Sequence, residues 1–267
     1  MENARIRSFQ RALYGWLAFY MLAMLLLGRA AWTNAPVQVF FAHQGAFKWF
    51  EGLINGAPAG TMLGIVVAML GSAIALLFRH RWWLGLVGWL LFRIITHRTW
   101  LASNGGVQLM ENMLIWGALM GRDVHPFVGT TAVWIARLQL LLAYAAAAAH
   151  KFTGTTWPDG SALLLVAHDP AFHLRWLESS PGLCTFLTHA TLAFMTLFPF
   201  AVWWAPSRRL FLIVGILFHL STAIFMGIPQ MGLAFIACYA LWLDEGMLTR
   251  LNACSDRLWP RRAPRVT

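Results

Sequence analysis

Pro58 to Phe78 reads P-A-G-T-M-L-G-I-V-V-A-M-L-G-S-A-I-A-L-L-F, 21 residues without one ionisable side chain. A helix needs about 20 mostly apolar residues to cross the hydrocarbon core of a bilayer, so this stretch alone is long enough to span. The rest of the chain repeats the pattern. Of 267 residues 59% are apolar and 11% charged, with 15 Trp and 19 Phe, and the mean hydropathy is +0.62. Soluble domains carry roughly 45–50% apolar and about 25% charged residues. The ~10-residue alternating segments of an outer-membrane barrel are absent. The composition therefore predicts an all-α polytopic membrane protein.

Apolar runs near 10–31, 58–78, 82–101, 105–121, 130–150, 182–204, 209–227 and 229–244 predict about eight transmembrane helices. They form one transmembrane domain over residues 1–250, followed by a basic tail over 251–267. Bases concentrate on the cytoplasmic side of membrane proteins. With the N-terminus inside, Arg5, Arg7, Arg11, Arg79, Arg81, Arg122, Arg208, Arg209, Arg250, Arg257, Arg261, Arg262 and Arg265 fall inside. Arg29, Lys48, Arg98, Lys151 and Arg175 fall outside. That asymmetry predicts an N-in, C-in topology, with the tail in the cytoplasm. The run from Ala12 to Ala31 is too long for the core of a signal peptide and predicts a retained span.

The excess of 20 Lys+Arg over 10 Asp+Glu is spread in short clusters between apolar runs. It points to membrane orientation, not to nucleic acid. Cys184, Cys238 and Cys254 form no CxxC pair, and a disulfide framework or structural zinc site is not expected. Two outer segments exceed a simple turn. Residues 32–57 carry Trp32, Phe40, Phe41, Phe47, Trp49 and Phe50, the composition of an interfacial segment. Residues 151–181 carry Lys151, Trp157, Asp159, His168, Asp169, His173, Arg175, Trp176 and Glu178, the densest polar chemistry in the chain.

Ionisable groups inside spans are costly, ~2.5–3.5 kcal/mol at the centre on insertion scales. Arg93, His97, Glu111 and Arg137 meet that description, with Gln108 and Gln139 beside them. Glu111 can pair with Arg93 or with Arg137, and the spacing leaves both open. In the fifth span Tyr144 precedes five alanines, Ala145 to Ala149, and then His150 and Lys151. The alanines let a neighbouring helix or a flat ligand approach the backbone. A lysine at this outer end loses part of the solvation of its charged form, which suits a base; snorkelling to the interface is the ordinary alternative. Pro158-Asp159-Gly160 signals a turn, and Trp157 an interfacial anchor. His219 lies on the apolar face of the seventh span, at a depth expected to approach Lys151.

The run Gln139 to Ala162, Q-L-L-L-A-Y-A-A-A-A-A-H-K-F-T-G-T-T-W-P-D-G-S-A, resembles the signature of the HTTM family, the membrane domains related to vitamin K-dependent γ-carboxylase. Gly215 to Gly232, G-I-L-F-H-L-S-T-A-I-F-M-G-I-P-Q-M-G, is similar to that family's later helix. Asn104, Gly105 and Gly106 show a weaker likeness. The resemblance implies a multi-span fold in a bacterial inner membrane, with a site facing the periplasm. It implies a reduced quinone of vitamin K or menaquinone type as cofactor, with O2 and CO2 as co-reactants of a carboxylase-like reaction. By motif position it makes Lys151 the base, sets Trp157, Asp159 and Gly160 on the turn after it and His219 on the later helix. His150 is a further catalytic candidate, and Tyr144 and Asn104 are further candidates for quinone or substrate binding. The carboxylase has a histidine in the segment resembling Asn104 to Val107, and this chain has none there. A peptide or small secreted protein is the implied substrate. The family likeness also extends to an accessory role in maturation or export of a small peptide toxin of the sporulation-delaying type. A transporter is a third reading, although no internal repeat of the usual kind is visible.

Overall fold

A computed structural model describes residues 2–28, 52–99, 103–121, 123–172, 174–244 and 246–249. The expected interfacial segment over 32–57, apart from its last residues, lies outside these, as do Arg29, Lys48, Arg122, His173, Arg250 and the tail 251–267.

Among the described residues the regular structure is entirely helical: α1 (Glu2–Leu26), α2 (Ala59–Phe78), α3 (Trp82–Arg98), α4 (Gly105–Leu119), α5 (Pro126–Phe152), α6 (Ala162–His168), α7 (Pro181–Ala201), α8 (Ala205–Phe225) and α9 (Pro229–Tyr239), with 3-10 turns at Arg175–Leu177 and Ala240–Trp242. Each long helix buries one stripe. On α2 the buried residues are Met62, Val66, Met69, Ala73 and Leu76, the three-and-four spacing of a single helix face. They pack with Phe9, Leu13, Leu17 and Met21 of α1. The outward faces are as apolar as the core: Val67, Ile74, Phe78, Leu142, Phe186, Phe200, Leu217 and Ile224 are all exposed. Soluble monomers do not expose apolar surface on that scale. This is the surface of an α-helical protein embedded in a membrane.

Five helices are long and apolar enough to cross: Ala4–Leu26 within α1, α2, α5, α7 and α8. Each of the eight expected runs finds a helix, but α3, α4 and α9 have 17, 15 and 11 residues. At 1.5 Å per residue the three are about 16–26 Å long. The first helix starts at Glu2, earlier than the apolar run at 10, because its polar first turns also pack: Arg5 Nε donates to Leu243 O at 2.7 Å.

Paired contacts fix the directions. Arg5 meets Leu243 and Trp16 Nε1 donates to Gln230 O at 2.8 Å, so α1 and α9 run antiparallel. Arg137 bonds Leu241 while Tyr144 lies against Phe235, so α5 and α9 are antiparallel too. The C-terminal end of α5, with Lys151, therefore lies at the bundle end opposite Arg5. The Arg5 end also holds Arg209, which pairs with Asp244 at 3.2 Å, and His80, whose Nε2 lies 3.2 Å from Gly117 O.

Candidate functional site

Helix α5 sets the frame. Tyr144, Ala147, Ala148 and Lys151, at i, i+3, i+4 and i+7, share its inward face. Tyr144 and Ala148 are buried, and Ala147 and Lys151 half-buried. The other three alanines of the run, Ala145, Ala146 and Ala149, are exposed beside Leu142. The alanine run thus has two functions. Its inner members keep bulk away from the column between Tyr144 and Lys151, and its outer members leave a smooth strip facing the lipid.

Tyr144 is the centre of a buried polar chain. Its hydroxyl lies 2.6 Å from His219 Nε2 on α8 and 2.5 Å from the hydroxyl of Tyr239 on α9. Phe194, Phe198 and Phe235 enclose it, the Phe198 ring centroid 4.3 Å away. His219 stacks on Phe235 at 4.5 Å with the rings 11° apart. Only 1% of His219 is exposed, and its Nδ1 has no hydrogen-bond partner among the described residues. Glycines make this closeness possible. A Cβ on Gly215 would lie 2.2 Å from the Tyr239 hydroxyl, and one on Gly232 would lie 2.3 Å from the His219 carbonyl oxygen. Tyr239 was not among the sequence candidates. The available signal was its place in an apolar helix, where a phenol has to find a hydrogen-bond partner.

Lys151 and His219 do not meet. Seven residues of helix separate Lys151 from the tyrosine that holds His219, about 10 Å along the axis. Lys151 Nζ instead lies 4.6 Å from the centroid of Trp157, a cation–π contact worth roughly 0.5–1 kcal/mol at exposed sites. Among the described residues no carboxylate pairs with it. The turn that brings Trp157 back is braced at several points. Asp159 Oδ1 accepts from the Ser161 amide at 2.8 Å and from its hydroxyl at 2.6 Å. These bonds hold the Asp159 carboxyl below the usual carboxylate range. Gly160 sits at φ 83°, in the left-handed region that glycine tolerates, and a Cβ there would also meet Thr185 Cγ2 at 2.6 Å. His189 Nε2 lies 3.1 Å from Pro158 O and ties the turn to α7. His150 is exposed, and its carbonyl accepts from Thr153 Oγ1 at 2.7 Å.

The other sequence candidates occupy different places. Glu111 pairs with Arg93, not with Arg137, and its second oxygen accepts from Thr96 Oγ1 at 2.8 Å. This pair faces outward on the Arg93 side. Arg137 donates to Leu241 O from Nε at 3.1 Å and Nη2 at 2.9 Å. Its guanidinium lies between the rings of Trp134 and Trp242, 5.4 and 5.2 Å from their centroids. Gln139 Oε1 accepts from Trp116 Nε1 at 2.8 Å, and His97 is half-buried on α3. Of the residues expected to form a buried polar network, Arg93 meets Glu111, Arg137 meets Leu241 and Gln139 meets Trp116. Asn104 is the N-cap of α4, its side-chain oxygen accepting from the amides of Gly106 and Val107 at 3.0 and 3.2 Å.

Comparisons with family models, curated proteins and solved structures return no match to this chain.

Proposed function

We propose that this protein is an integral membrane enzyme of the γ-carboxylase-like type, in which Lys151 is a general base facing the periplasm. The observation that carries the reading is the placement of Lys151. Trp157 positions the Lys151 side-chain nitrogen at one end of α5, half accessible, and among the described residues no carboxylate fixes it in the charged form. The end opposite gathers Arg5, Arg7, Arg11, Arg79, Arg81, Arg208 and Arg209. A cytoplasmic location of that end would accord with the positive-inside rule and supports the reading of Lys151 as facing outside. Eight crossings fit this reading when the bilayer thins locally around α3, α4 and α9.

A reduced quinone fits the residues around Lys151. Trp157 offers a flat aromatic face and the half-buried Ala147 leaves little bulk on the Lys151 side of α5, while an isoprenoid tail could reach round to the lipid-facing strip of Ala145, Ala146 and Ala149. Lys151 would hold the quinol hydroxyl, with Trp157 beside the ring. When bound, such a cofactor supplies an acidic hydroxyl and reducing power towards O2, with CO2 as the further reactant in a carboxylase-like reaction. The contribution of the chain is to accept a proton at Lys151 Nζ in its neutral amine form, which becomes the ammonium held on Trp157. Tyr144, His219 and Tyr239 form the rigid floor beneath it. A peptide or small secreted protein remains the proposed substrate class.

The test is hydroquinone turnover in lipid nanodiscs. Reduced menaquinone, ubiquinol or vitamin K hydroquinone is supplied with O2, and quinone or epoxide is followed in wild type and Lys151→Ala. Lys151-dependent consumption supports the enzyme. Equal rates in a folded variant favour the accessory role in peptide maturation or export.

A further inference from the structure

The outward face of α4 carries a line of residues that a lipid environment does not explain. Gly105, Gln108 and Asn112 are exposed, and Ile115 and Leu119 partly so. Steps of three, four, three and four residues put them on one seam, the spacing by which two helices pack along each other. The opposite side of α4 is already used, with Gly106, Val107, Met110, Met113 and Gly117 buried.

The seam carries amides where lipid favours hydrocarbon. Asn112 Nδ2 bonds the carbonyl of Gln108 in its own helix, at 3.3 Å. Among the described residues nothing bonds the Gln108 side chain. Beside them the Arg93 side chain is 49% exposed although it pairs with Glu111. Trp116 meets Gln139 on the neighbouring α5, and the two helices run in opposite directions, so Asn112 lies near the level of Tyr144. That is roughly 10 Å inward from Lys151. Polar groups at such depth turn towards protein or water.

The chemistry of the face selects its occupant. An amide is both donor and acceptor and is complementary to another copy of itself. The adjacent Arg93–Glu111 pair is neutral as a unit and calls for no partner of opposite charge. A two-fold axis along the membrane normal sets equivalent residues opposite each other at equal depth, because both copies insert in the same direction. A built Cβ on Gly105 meets nothing within 4 Å, so two such helices can come close at that end. A single Asn in an otherwise regular seam is also a known device for fixing register and a two-stranded state.

We propose that the outward face of α4 is a homodimer interface, a parallel seam in which Asn112 and Gln108 pair with the same residues of a second copy. The proposal is independent of the chemistry at Lys151.

Site-directed cross-linking in native membranes tests it. Cys184, Cys238 and Cys254 are replaced by alanine, and Asn112→Cys or, as a control on the exposed face of α8, Leu217→Cys is introduced. Under mild oxidation Asn112→Cys is expected to give a species of twice the chain mass, with Leu217→Cys remaining monomeric. In an independent arm, the otherwise unaltered chain carrying a fluorophore is counted by photobleaching in nanodiscs. Two steps are expected, and Gln108→Leu with Asn112→Leu is expected to weaken dimerisation by about five- to tenfold, since interhelical polar contacts average about 0.6 kcal/mol each and two pairs are lost. Single-step bleaching of the unaltered chain overturns the proposal. So does a cross-linked product of any other mass, or equal cross-linking at Asn112→Cys and Leu217→Cys.

Discussion

Lys151 stands on the same face of α5 as Tyr144, seven residues nearer the end of the helix, and the two belong to different environments. Tyr144 is locked in a dry aromatic enclosure with His219 and Tyr239. Lys151 lies half-accessible on Trp157. A residue serving packing and a residue serving chemistry are distinguishable by what their removal does.

Tyr144→Phe is expected to destabilise the protein by about 1–3 kcal/mol, because it strands a buried imidazole nitrogen and removes a partner of Tyr239. Lys151→Ala loses an exposed cation–π contact and is expected to cost no more than about 1 kcal/mol. Reversible unfolding in detergent, monitored by tryptophan fluorescence, measures both. Equal losses would mean that Lys151 is a structural residue.

The glycines around this chain separate close approach from mere flexibility. Gly232→Ala places a methyl 2.3 Å from a backbone oxygen, and backbone cannot move aside as a side chain can. Gly64→Ala on α2 adds a methyl in open space. Gly232→Ala is expected to cost about 1–3 kcal/mol or more from overpacking, and Gly64→Ala close to nothing. A thermal unfolding comparison of the two variants settles it.

Several of these placements were legible in the sequence. The end of α5 at Lys151 and the turn after it were legible, since Pro158-Asp159-Gly160 signals a reversal, while the contact of Lys151 with Trp157 was not. The burial of His219 followed from its apolar neighbours. The choice between Arg93 and Arg137 for Glu111 was not legible, because either spacing reaches. The contact that removes Arg137 is a backbone carbonyl from a distant helix, and a main-chain acceptor leaves no mark in the sequence. Tyr239 was missed for a similar reason: nothing about a lone tyrosine names its partner. Asn104 was read through family likeness as a site residue. The ordinary capping rule, an Asn just before an apolar run, describes what it does in the fold.

Arg137 makes a further prediction. Its planar fork sends two N–H groups to Leu241 O while its faces contact two indoles, a geometry that an ammonium cannot reproduce. Arg137→Lys is expected to lower stability by about 1–2 kcal/mol. A change in the emission of Trp134 and Trp242 should accompany the loss. An unchanged spectrum and melting curve would contradict the contact.

His80, in the short connection between α2 and α3, gives a pH dependence. Burial lowers its pKa below the ordinary histidine value, so the unfolded chain binds a proton more readily than the folded one. Its penalty is absent above the unfolded value, near pH 6.5, and grows as pH falls towards the folded value. Unfolding midpoints measured between pH 7.5 and 5 should fall less steeply in His80→Gln than in wild type. The same slope in both would remove His80 from the acid response.

Chemical rescue at Lys151 bears most directly on the proposed base. Hydroquinone consumption is measured in nanodiscs for wild type, for Lys151→Ala, and for Lys151→Ala supplied with small primary amines. General bases contribute about 10²–10⁴-fold, so Lys151→Ala is expected to lose at least about a hundredfold in rate. Added amines should restore part of it, and more basic amines more of it. A folded Lys151→Ala protein that consumes hydroquinone at the wild-type rate would contradict the assignment.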